Sequence, residues 1–161
     1  MIVVTDTSVI LHLCMLGLEE LLPRFFGAVL APPEVRREFE HLVTRDSRFS
    51  GLAFPPFIEV IAPSHIPAVL TGLRLDPGEL AALALAVEHG NAAVLIDEKD
   101  GRAAARALGL TLFGLLGILA KGREQNLIGS LAPLFDRLQQ ARFWIHPVLR
   151  ERILQRVGEL P

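Results

Sequence analysis

An α/β fold built on a parallel sheet of four to five strands, with helices on both faces, is what this 161-residue sequence predicts, and three observations carry that expectation. Short apolar runs rich in β-branched residues alternate with longer helical patterns along the chain. The runs are continuously apolar rather than alternating in polarity, as strands covered on both faces are. No repeat, low-complexity tract or linker interrupts them, so residues 1–161 read as a single domain.

Taken in order, strands are expected at IVVT (2–5), AVLA (28–31), AAVLI (92–96) and LTLF (110–113), and FWIH (143–146) offers one more. Helices are expected near 8–15, 18–23, 33–43, 77–89, 100–108, 115–123, 130–141 and 147–157. A C-terminal helix within 146–161 is a candidate interaction element. Pro55, Pro56, Pro63 and Pro67 break the pattern between 44 and 76. There FIEVIA (57–62) suits an edge strand and 66–73 a short helix.

The net charge of −2 gives no global basic field, so any nucleic-acid contact must come from a local patch. Lys99 and Lys121 are the only lysines; the other cations are arginines, which grip phosphates bidentately but also follow from a GC-rich genome. Cys14 is the single cysteine, which fits a core thiol in a reducing cytoplasm. MIVVTDTSV has no basic region of a secretory signal, and the apolar stretch 108–120 is too short to cross a bilayer. No membrane association is expected. The high apolar fraction leaves surface that a homodimer would cover.

In parallel sheets the site forms at the carboxyl ends of the strands, which gives weight to acids just beyond them. Asp6 follows IVVT and Asp97 follows AAVLI, although each is also placed to cap a helix. In PPEVRREFEHLV the apolar stripe is Val35, Phe39 and Leu42; Glu38 flanks it while Glu40 points away. Glu79 lies at N3 of DPGELAALALAVE, where Asp76 and Pro77 make a helix start with a capping box. That helix is apolar nearly all round, which directs its acidic end into a cleft. Four converging carboxylates repel unless a cation joins them. With no His or Cys at ligand spacing, the ion is a hard one, Mg²⁺ or Mn²⁺, able to activate water for phosphodiester cleavage.

The segments VVTDTSVI, PPEVRREFE, DPGELAALALA, LIDEKDGRAAARALGL and FGLLGILAKGREQNLIGSL together resemble the PIN domains, and span most of the chain. They are most similar to a little-characterised prokaryotic branch related to the toxin halves of VapC-type toxin–antitoxin pairs. The resemblance implies a metal-dependent ribonuclease, or a toxin with an antitoxin partner. It also admits a binding or scaffold module with weak or no nuclease activity. It assigns metal binding to Asp6, Glu38, Glu79 and Asp97, with a further acid from Glu98 or Asp100. It gives Ser8 an orienting role toward a carboxylate or water. Arg102 becomes a phosphate contact or a partner for the acids, against the alternative of a solvated arginine. Leu115 departs from the small polar residue common between the two glycines of relatives, which leaves Gly114 and Gly117 to close helix packing.

Other phosphoryl-transfer folds fit less well. A haloacid-dehalogenase phosphatase needs an acid where Ser8 stands, a receiver domain needs an acidic pair after its first strand, and no glycine fingerprint for a dinucleotide follows that strand.

Overall fold

The computed structural model describes residues 1–90 and 92–161. Its first elements are β1 (Ile2–Thr5), α1 (Thr7–Leu16), α2 (Leu21–Phe25), β2 (Ala28–Ala31), α3 (Pro33–Arg45), a 3-10 turn (Ser47–Phe49), β3 (Ile58–Val60) and α4 (Ala68–Thr71). There follow α5 (Pro77–Glu88), β4 (Ala93–Leu95), α6 (Lys99–Ala107), β5 (Thr111–Phe113), α7 (Leu115–Glu124), α8 (Leu131–Gln140) and α9 (Pro147–Arg156). The described residues fall into two compact units, Met1–Leu115 and Leu116–Pro161.

The first unit is organised by one five-stranded sheet in the order β3-β2-β1-β4-β5, parallel throughout. Register sets Val4 between Leu30 and Val94, and all three share a core with Leu70 of α4, Leu83 and Leu85 of α5, and Ala104 and Ala105 of α6. The β1–β2–β3 connections run the other way along the sheet. Right-handed crossovers therefore carry α1 to α3 to the opposite face, where Val9, Leu13, Val35 and Phe39 are fully buried. Coverage on both faces explains why the strand sequences lack polar alternation.

The helices differ in their sequences because they differ in exposure. α5 is buried from Ala81 through Ala86 and shows no polar face, the pattern of a helix enclosed by neighbours. α3 buries only Val35 and Phe39, each contributing about 1.5–3 kcal/mol through removal of apolar surface from water. Its outer side carries the Arg36–Glu40 pair at 2.9 Å. Cys14 is buried in α1, and loss of hydration pushes its thiol up to about 12, which makes it an inert core group.

Strand order reverses between β1 and β4: β2 and β3 lie to one side, β5 to the other. Such a reversal opens a crevice at the carboxyl ends of the two central strands.

In the second unit, α8 buries Leu131, Phe135 and Leu138 at helical spacing, and α9 buries Ile153 and Leu154. Arg150 of α9 ties the two helices together, donating to Gln139 at 2.8 Å and to Asp136 at 2.9 Å. Glu159 accepts from the backbone N–H groups of Leu131 and Ala132 at 2.7 and 3.1 Å, so a side chain far along the sequence satisfies the amino end of α8.

Three sequence expectations change here. FWIH (143–146) forms no strand, because its residues are consumed by two helix caps. Phe143 N donates to Leu138 O at 2.9 Å behind a left-handed Arg142, and His146 caps α9 ahead of Pro147. The helix expected at 147–157 is found as α9, which ends at Arg156 before left-handed Gly158 turns the chain and Glu159 N bonds back to Leu154 O. The helix expected at 18–23 starts only at Leu21, since Gly17 and Leu18 are spent closing α1. Gly117 gives no close helix packing: an added Cβ would meet no described heavy atom within 4 Å.

Candidate active site

The site begins where β1 stops. Asp6 N continues the ladder by donating to Leu95 O at 3.0 Å, which fixes the residue between the ends of β1 and β4. Its carboxylate turns to cap α1, with Oδ1 accepting from Val9 N at 3.0 Å. Asp6 is only 3% exposed, so both its capping role and its place in the crevice are occupied at once.

The next residue recruits α3. Thr7 Oγ1 donates to Glu38 Oε2 at 3.0 Å, holding a half-buried carboxylate toward the crevice, while Glu40 stays exposed. Glu38 can lie against the start of α5 because Gly78 has no side chain; a Cβ there would sit 3.2 Å from Glu38 Oε2.

At the head of α5, Asp76 Oδ1 accepts from Glu79 N at 2.7 Å, the N-cap bond that the sequence suggests. Glu79 is buried, and its Oε2 would be 3.0 Å from a Cβ on Gly101 of α6. Asp97, two residues beyond β4, receives Leu115 N on Oδ1 at 3.2 Å. Its Oδ2 is out of solvent contact and has no hydrogen-bond partner among the described residues.

Asp6, Thr7, Ser8, Glu38, Asp76, Glu79 and Glu98 line one cleft of about 80 Å³, room for a few water-sized groups. Five of the sequence-derived candidates thus share a cavity: Asp6, Ser8, Glu38, Glu79 and Glu98. Asp97 stands behind it, close enough to Asp6 for its charge to be felt there. Asp100 is exposed on the first turn of α6 and acts on Glu79 only through its charge. Arg102 does not line the cleft; it donates through Nη1 to Ile96 O at 3.0 Å, and its charge favours the ionised form of Asp97.

Two lining residues escape a reading of the sequence. Asp76 looks like a helix cap and is one, and Thr7 looks like the first turn of α1. The signal for Thr7 is its place in the DTS triplet between two candidate residues; Asp76 has none beyond its spacing of three from Glu79.

Crowding of carboxylates shapes the electrostatics. Burial above all, then the charges of Asp97, Glu79 and Asp76, holds Asp6 well above the ordinary carboxylate range against the opposing Val9 hydrogen bond. Glu79 is raised to about 8 by burial, a shared hydrogen bond and charge from Asp76, and the charges of Glu98 and Asp100. Burial lifts Asp97 to about 6 despite Leu115 N and Arg102, and Glu38 is raised by burial despite Thr7.

No Lys, Arg or His among the described residues forms an ion pair with Asp6, Glu38, Asp76, Glu79 or Asp97. All-oxygen donors, an unpartnered buried carboxylate oxygen and raised proton affinities fit a hard divalent cation. The donors are not already gathered around a point. Among the described residues, no three of His, Cys, Asp and Glu form a ready ligand set. Hydrogen bonds from Val9, Thr7, Glu79 and Leu115 each engage a carboxylate of Asp6, Glu38, Asp76 or Asp97.

A family model described as a PIN domain (DUF3368) matches residues 2–159. The chain belongs to the PIN-domain family. The match runs through both compact units, so the PIN sequence pattern includes the helices after β5 as well as the sheet. No curated protein matches the sequence. As a PIN domain, the chain has a nuclease-type fold whose family generally uses divalent metals and acts on nucleic acid. Among the described residues no helix is long and apolar enough to cross a membrane.

Proposed function

We propose that the protein is a Mg²⁺- or Mn²⁺-dependent ribonuclease whose metal is held by Asp6, Glu38, Glu79 and Asp97, with Glu98 as a further acid at the cleft. The observation that carries this reading is the convergence of carboxylates, Asp6 and Glu79 among them buried, with no ion-pair partner among the described residues, at the strand-order reversal of a PIN-family chain. A divalent ion bound there supplies an activated water and stabilises the charge that develops on the phosphate.

The chain's own residues prepare that chemistry. Asp6 is fixed by the sheet, Asp97 by Leu115 N, Glu38 by Thr7 and Glu79 at the α5 cap, so each carboxylate is held at or beside the cleft from which a cation would draw it into a ligand set. Ser8 lines the cleft where its hydroxyl can orient a carboxylate or water. Arg102 is a positioning residue for Asp97 in this reading, acting through charge rather than on substrate.

The deciding experiment compares the wild type with Asp6→Asn on mixed RNAs in Mn²⁺, Mg²⁺ and EDTA. Asparagine retains the cap oxygen for Val9, so the fold should survive while metal-dependent cleavage disappears. Equal cleavage by both proteins would refute the assignment.

One observation favours a second reading, a binding module with weak or no nuclease activity: the absence of a ready ligand set among the described residues. Full-length protein that binds no Mn²⁺ by calorimetry would select it. The finer roles, a cytoplasmic toxin held by an antitoxin or a homodimer, belong to the same proposal. A small adjacent open reading frame whose product blocks cleavage is the test of the toxin, and sedimentation that of the dimer.

A further inference from the structure

The second unit carries the opposite charge balance to the first. Residues 116–161 contain seven Lys and Arg against four Asp and Glu, whereas residues 1–115 contain nine against fourteen. Several of those cations are engaged: Arg150 with Asp136, Arg156 with Glu124 and Arg123 with Glu159. The guanidinium groups of Arg142 and Arg152 are exposed and make no hydrogen bond or ion pair among the described residues.

Between them in sequence stands Trp144, the chain's only tryptophan, 74% exposed. Its ring is braced edge-on by His146, with centroids 5.5 Å apart and planes at 84°. His146 is itself fixed, because its Nδ1 accepts from Val148 N at 3.1 Å and caps α9. At one hundred degrees per residue, Val148 and Arg152 share the side of α9 opposite buried Ile153 and Leu154. Val148 is 55% exposed, and Glu151 is the acid on the margin of that side.

We propose that Trp144, Arg142 and Arg152 form a binding surface for single-stranded nucleic acid. An unpaired base stacks on the indole, and the two guanidinium groups contact phosphates on either side of it. Every base offers a π-face to an aromatic ring, and arginine forks match phosphate oxygens, so an exposed, braced indole flanked in sequence by two exposed arginines with no ion pair among the described residues fits a strand of alternating bases and phosphates. The inference deepens the ribonuclease reading by naming a single-stranded substrate, and it rests on that reading for its biological sense. Binding itself requires none of the cleft acids.

The test uses full-length Asp6→Asn protein in EDTA, a labelled single-stranded RNA and the corresponding duplex. Indole fluorescence is quenched by the single strand and much less by the duplex. By anisotropy, Trp144→Ala weakens binding about five- to hundredfold, and Trp144→Phe recovers most of the loss. Arg142→Ala and Arg152→Ala each lower the slope of log K against log salt by roughly 0.7. Unquenched fluorescence with unchanged binding by Trp144→Ala overturns the proposal, as does equal quenching by duplex. So does RNA-independent self-association abolished by Trp144→Ala, which makes the face a protein contact. Quenching without any cleavage by the wild type sinks the nuclease reading alone; cleavage without quenching sinks this one alone.

Discussion

The carboxylate of Asp97 occupies the space that a side chain on Gly114 would need. A Cβ at Gly114 would lie 2.9 Å from Asp97 Oδ1 and 2.8 Å from Arg102 Nη1. The arginine tip can swing aside, whereas Asp97 is held by Leu115 N. Gly114→Ala should therefore displace Asp97, cost about 1–3 kcal/mol of stability through overpacking, and reduce cleavage far more than that loss of folded protein explains. Urea melts and single-turnover cleavage on the same preparation separate the two effects. Full activity in a destabilised variant contradicts the placement.

Stability should fall as pH rises in the absence of metal. Asp6, Glu38, Glu79 and Asp97 all bind protons more tightly when folded than ordinary carboxylates do, with Glu79 near 8 and Asp97 near 6. The folded state then holds more protons than the unfolded one between the ordinary carboxylate range, about 4, and about 8, and the linkage slope is negative across that window. Melting in EDTA should be higher at pH 5 than at pH 8, and Glu79→Gln should flatten the difference. Mn²⁺ should raise the melting temperature more at pH 8, where the carboxylates are free to bind it. A wild type that melts higher at pH 8 in EDTA, with Glu79→Gln unchanged, removes the basis for this expectation.

Thr7 connects the first strand's end to α3 through one hydrogen bond. Thr7→Val keeps the shape but removes the donor to Glu38, costing about 1–2 kcal/mol for a buried polar contact and releasing the carboxylate. Mn²⁺ affinity by titration calorimetry should drop, and Thr7→Ser should restore it. Identical affinities in all three proteins would show that Glu38 is positioned by something else.

In the second unit, Glu159→Ala should expose the amino end of α8. Two backbone donors lose their acceptor and Arg123 loses the carboxylate 3.6 Å from its Nε. The expected cost is about 1–3 kcal/mol, concentrated as faster amide exchange at Leu131 and Ala132. Unchanged exchange at those amides is the contrary result.

Much of this arrangement is legible in the sequence because local periodicity carries it. Asp6 and Asp97 are marked by the apolar runs that precede them, and Glu38 is separated from Glu40 by helical angle alone. The features that escape are tertiary. Thr7 gains a role only when α3 approaches β1, and the bareness of Gly114 matters only once Arg102 and Asp97 fold beside it. FWIH has strand composition but lies between two caps, and a strand is defined by its neighbours as well as by its residues. The expectation of a metal comes from the four acids taken together and the family resemblance adds the ribonuclease reading, while the tertiary hydrogen bonds from Thr7 to Glu38 and from Leu115 to Asp97 could not be read from spacing.

The two sides of the cleft are anchored with unequal permanence. Asp6 is stitched into the middle of the sheet by its own amide, whereas Glu98 stands exposed at the entrance to α6. Loosening α6 would therefore shift the Glu98 wall alone, whereas the wall bearing Asp6 moves only with the sheet itself.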